Sequence, residues 1–175
     1  MRSLAALTVM ACCLFPSGLL AQEGQAQPPL IKDEIIQEGD WTPVINWLRT
    51  NVSSEDFDNL ATINTAMAVW VDDDSLVRTA STTKAWLHIE FFSEGAVQAA
   101  GLRSMMALNE YRCEARQQRQ LAGASYTGTN RTGEAEQFDE SRPSAWRYVR
   151  PDQIDNEILD AVCNGTRIFD GTADQ

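Results

Sequence analysis

The chain has 175 residues, 43% of them hydrophobic and 22% charged, enough to bury a core of its own in one domain. Its formal net charge is −11, from 14 Lys and Arg against 25 Asp and Glu. That balance repels phosphate backbones and anionic lipid surfaces, so nucleic acid is set aside as a partner while cationic partners stay open.

Met1-Arg2-Ser3, an apolar run from Leu4 to Phe15, and a close at Ala21 read as a secretory signal peptide over residues 1–21. The run is shorter than the roughly 20 residues a membrane-spanning helix needs. The rival reading lipidates Cys12 in Val9-Met10-Ala11-Cys12, but it strands Leu14-Phe15 and Leu19-Leu20 where linkers are polar. Export is therefore expected, to the periplasm or the outer surface. Residues 22–40 read as a flexible leader, 41–166 as one domain and 167–175 as a tail.

Trp41 to Val52, with Pro43 near its start, reads as a short helix showing Val44, Ile45 and Leu48 on one face. At Ala66 the period changes to two, and Ala66 to Val71 reads as a strand buried on both faces. Asp72-Asp73-Asp74-Ser75 is a turn, and Leu76-Val77-Arg78 returns from it as a hairpin. Thr83 to Phe92 alternates as a half-exposed strand. Ala85, Leu87, Ile89 and Phe91 face one way; Lys84, Trp86, His88, Glu90 and Phe92 face the other.

Gly95 to Gly101 reads as a loop. Ser104 to Gln120 is too long for one ordinary strand and is expected as two strands or a bent one, although Glu114 to Gln120 alone would also pass as helix. Ala122 to Thr127 and Trp146 to Val149 read as further strands, separated by a loop from Gly128 to Pro143. Pro151 and Asp152 open a final helix in which Ile154, Ile158 and Val162 recur every four residues beside Cys163, with Asn164-Gly165 ending it.

If Cys12 and Cys13 leave with the signal peptide, Cys113 and Cys163 are the pair that remains. In an oxidising compartment their disulfide is the default, and it would press the last helix onto the sheet. Closing a loop of this length is worth about 4 kcal/mol in the chain-entropy model.

Chemistry is thinly signalled. His88 is the only histidine, with Glu90 two residues away on the same face; together with Trp86 they form a candidate surface patch, and a solvated pair is the simpler reading. The acidic run lacks the glycine and distal glutamate of a calcium loop. No phosphate loop, nucleophile elbow or metal-ligand cluster is present. The expectation is a protein that is not an enzyme, with no cofactor and no metal. The rival is a small periplasmic enzyme working through carboxylates, or an inhibitor or housekeeping factor of the envelope.

Val69-Trp70-Val71-Asp72-Asp73-Asp74-Ser75, Tyr111-Arg112-Cys113-Glu114-Ala115-Arg116, Trp146-Arg147-Tyr148-Val149-Arg150-Pro151 and Ile158 to Cys163 together resemble the bacterial surface-adhesin protein E-like domains. The resemblance runs from about Ala66 to Gly165. It implies an α+β fold: an antiparallel sheet with a C-terminal helix packed on one face and tethered by a disulfide. It also implies a binding role at the cell envelope, which in the best-known member is attachment to host extracellular proteins such as vitronectin, laminin and plasminogen.

Overall fold

A computed structural model describes residues 26–37, 39–52, 59–138, 141 and 143–167. The expected signal peptide, the residues up to 25 and nearly all of the tail lie outside the described residues. Among the described residues three helices and eight strands are formed: α1 (Thr42–Asn51), β1 (Leu60–Ile63), β2 (Met67–Val71), β3 (Val77–Arg78), β4 (Thr83–Phe91), α2 (Glu94–Ala100), β5 (Ser104–Arg112), β6 (Gln117–Tyr126), β7 (Ala135–Phe138), β8 (Arg147–Tyr148) and α3 (Ile154–Asn164). The strands make one antiparallel sheet in the order β1-β2-β4-β5-β6-β7, with β3 added to β4 and β8 to β6.

Strand alternation gives the sheet two unlike faces. On one, Val69, Val71, Ala85, Leu87, Ala107 and Tyr111 meet Ile158, Leu159 and Val162 of α3. The four-residue spacing of α3 puts these side chains on one stripe, and burying each is worth about 1.5–3 kcal/mol. Cys113, in the β5–β6 turn, is joined to Cys163 on α3 with Cα atoms 5.8 Å apart, so the expected tether is present. The helix begins at Ile154, not at Pro151, which sits in the turn before it; Gly165, at φ +76, closes its C-terminus.

On the other face α1 lays Val44, Trp47 and Leu48 over Leu60, Ala68, Trp70 and Phe92. This second helix covers only the β1–β2 side. Part of the expected flexible leader is held against the same corner. Ile31 N–H donates to Phe92 O at 2.8 Å, and the Trp47 indole and Arg103 guanidinium donate to Pro29 O and Pro28 O at 2.7 Å each.

Three local expectations are corrected. Leu76 to Arg78 does not pair back on β2, because β4 already occupies that edge in the register Val71↔Leu87; β3 pairs with the part of β4 that runs beyond β2. Gly95 to Gly101 is not a loop but belongs to α2, which Ser93 caps by accepting from Ala96 N–H at 3.1 Å and Gly101 ends at φ +71. The Gly128 to Pro143 stretch contains β7 and a 3-10 turn, Thr129–Arg131. The long Ser104 to Gln120 stretch does divide into two strands, β5 and the start of β6. Leu121 bulges out of the ladder opposite the Leu108–Asn109 step, and β6 continues through the segment expected as a separate strand.

Candidate functional site

The face of β4 that carries Trp86, His88 and Glu90 places the three in a line, but it does not expose them equally. His88 is 5% exposed and Glu90 0%, so these two are not part of the surface, contrary to the sequence expectation. The cover comes from elsewhere in the chain. Asn130 N–H donates to Glu90 Oε1 at 2.8 Å, and Asn130 Nδ2 donates to Asn51 O at the end of α1. Ser104, beside Glu90 in the β4–β5 register, donates from Oγ to Gly128 O at 2.7 Å and accepts from Arg131 N–H at 2.9 Å. Gln27 Oε1 accepts from Thr129 N–H at 2.8 Å. The 128–132 segment is thereby clamped over the lower end of the sheet, with Asn130 and Arg131 held in the left-handed region at φ +56 and +61.

Beneath that cover His88 Nε2 lies 2.7 Å from Glu90 Oε1, and the imidazole stacks on Trp70 with ring centroids 5.3 Å apart. Burial pushes the Glu90 carboxyl above its ordinary value, and the hydrogen bond and charge of His88 pull against it. A general base must reach the proton it removes in a bound substrate. This pair is sealed from solvent and instead anchors the loop that seals it.

Trp86 alone of the three remains accessible, and it opens onto a trough of about 1340 Å³ that no helix among the described residues covers. The trough crosses β4, β5 and β6 where α1 no longer reaches, and Met106, Ala122, Ala124, Tyr126 and Phe138 line it with Trp86. In register, Trp86 stands level with Leu108 and Ala122, and His88 with Met106 and Ala124. The depression has a simple cause: β6 contributes alanines where its neighbours contribute Trp86 and Met106. At the β7 edge Gly123 admits the Phe138 ring, since a Cβ at that position would stand 2.5 Å from Phe138 Cζ.

Charged groups border the trough. Above it Lys84, Glu110 and Arg119 form a cross-strand row, with Arg119 NH2 2.6 Å from Glu110 Oε2. Burial pushes the Glu110 carboxyl up, but the Arg119 hydrogen bond and the nearby cations outweigh it and hold the group below its ordinary value. Arg112 and Arg119 set their guanidinium carbons 4.0 and 4.6 Å from the Trp146 ring centroid. Below, Arg131 NH1 lies 3.8 Å from Met106 Sδ. The Cys113–Cys163 bridge belongs to the α3 face and takes no part in this site.

Sequence reasoning missed Met106, Ala122, Ala124 and Phe138. The available signal was Leu121-Ala122-Gly123-Ala124, a run of small residues inside a strand, which acquires meaning only once the register sets it beside Trp86. Among the described residues no group of three or more His, Cys, Asp or Glu side chains is placed to hold a metal ion, and no helix is long and apolar enough to cross a membrane.

The family model described as surface-adhesin protein E matches residues 57–164. No curated protein matches the chain. Among solved structures, the chain is similar to Haemophilus influenzae protein E at 12% identity and a TM-score of 0.45, with 66% of this chain and 89% of that one covered. A second crystal form of that protein gives 12% identity and a TM-score of 0.46, over 66% and 92%. Protein E from non-typeable Haemophilus influenzae gives 11% and 0.43, over 66% and 79%.

Proposed function

The chain belongs to the surface-adhesin protein E family, and from that premise we propose that it is an exported envelope protein that binds another protein through the open face of its sheet. The observation that carries this reading is the trough over β4, β5 and β6: an accessible floor bearing Trp86 and Met106 on a sheet whose opposite face is closed by a helix and a disulfide. Interfaces concentrate their binding energy on such aromatic and methionine side chains placed in pockets.

The partner is a host extracellular protein, and the site of action is the outer surface of the cell. The same reading makes the chain a binding protein and not an enzyme, with its one histidine sealed beneath the 128–132 segment. The test has two arms. Protease treatment of intact cells should cut the protein, and immobilised matrix proteins should retain it while the Trp86→Ala variant washes off. Recovery of the protein only from soluble periplasm would sink the adhesion reading and leave the fold untouched.

A further inference from the structure

Among the described residues, cations outnumber carboxylates along the border of the trough, although the protein as a whole is acidic. The formal charge of the chain is −11. Yet Lys84, Arg112, Arg119 and Arg131 flank the trough, and Glu110 is the carboxylate set among them. Glu110 is taken by Arg119, and among the described residues neither Lys84 nor Arg131 is in ion-pair contact with a carboxylate. Asp72 stands at the Trp86 end, where one of its carboxylate oxygens is occupied as the cap accepting Asp74 N–H at 3.1 Å. The Asp73–Asp74 turn follows it at that same end, while Asp155, Glu157 and Asp160 stand on α3, away from the trough.

Building on the binding role proposed above, we infer that the trough receives an acidic peptide segment with an apolar centre. The apolar residues would lie on Trp86 and Met106 over the small side chains of β6, and the flanking carboxylates would meet Arg131 on one side and Lys84 with the Arg119 row on the other. Two features select a peptide over a sulfated polysaccharide: the floor is apolar across three strands, and the cations stand at its borders and not along it. The protein's overall negative charge opposes approach from far away, but at physiological salt the screening length is about 8 Å, so the local cations govern the docked state.

The test is selection from a displayed library of random 12-residue peptides on the full-length protein. Enriched sequences should carry Asp and Glu around an aromatic or aliphatic centre, and their binding should shift the NMR signals of the Trp86 indole N–H and the Met106 methyl. Neutralising the border should weaken them about threefold for Lys84→Gln or Arg131→Gln alone and about tenfold for both, since exposed charges contribute modestly one at a time. Both positions are solvent-accessible, so these variants stay folded and the measurement stands even where Ala122→Leu, which fills the trough, does not. Enrichment of basic peptides on the same residues, or tighter binding of heparin than of any peptide, would overturn the acidic-segment inference and leave the docking face in place. No enrichment, or signals moving only outside the trough, would overturn both.

Discussion

The two faces of one sheet have been finished differently. The α3 face is closed: Ile158, Leu159 and Val162 fill it, and the Cys113–Cys163 bond fixes the helix that carries them. Among the described residues the opposite face is closed at two places, by α1 over β1 and β2 and by the 128–132 segment over His88 and Glu90, and is left open between them. Both faces are built from alternating residues of the same strands. The difference shows that cover, not strand pattern, decides whether a row of side chains becomes core or contact surface. Trp70 and Trp86, both on the α1 side of neighbouring strands, make the point: one is buried beside α1 and the other opens onto the trough.

Perturbing each face in turn should separate stability from binding. The largest effect belongs to the closed face. Replacing both Cys113 and Cys163 by Ser should cost about 4 kcal/mol by the loop-entropy argument, and hydrogen exchange should show α3 loosening before the sheet. Leu159→Ala, a cavity under the same helix, should cost about 3 kcal/mol in denaturant unfolding with no effect on a partner bound to the far side.

The open face should behave in reverse. Trp86→Ala should cost about 1 kcal/mol of stability, because the ring is only partly covered, yet reduce partner binding at least tenfold in a solid-phase assay. Equal losses on both counts would mean that Trp86 is core.

The smallest effect concerns the boundary between covered and open regions. The folded-state pKa of Glu90 is raised above 4.5, so the folded protein holds this proton more tightly than the unfolded chain does. The contribution of Glu90 is full below the unfolded value and is lost as pH rises through the folded one. Glu90→Gln keeps an oxygen for Asn130 N–H and removes that loss, so the variant should gain on the wild type as unfolding is measured at increasing pH from 4.5 to 7. A gap that does not change with pH would mean that the carboxyl is not held in the folded state as the geometry implies.

Much of the closed face could be read from residues. The four-residue spacing of Ile154, Ile158 and Val162 announces a helix face, two cysteines left after export announce the bond, and the β2 and β4 alternations announce strands. The open face was harder because its features are non-local. His88 and Glu90 are buried by Asn130, 40 positions beyond Glu90, and no pattern within β4 contains that fact. Seven-residue α2 escaped because Gly95 and Gly101 read as breakers, although one of them is its C-terminal cap. Strand β7, Ala-Glu-Gln-Phe in a polar stretch, exists through its pairing with β6 and not through its own propensity. The trough needed the register first, since Ala122 and Ala124 mark a depression only when Trp86 and Met106 are known to stand beside them.

The central claim is that binding resides on the open face while the closed face only supports it. Its most direct test compares the retention of three proteins on the same immobilised partner: the wild type, Ala122→Leu in the trough, and Asp160→Lys on α3, each first shown to melt as a folded domain. Retention lost for Ala122→Leu and kept for Asp160→Lys is the expected result. Retention kept with the trough filled and lost with the α3 change would contradict the account.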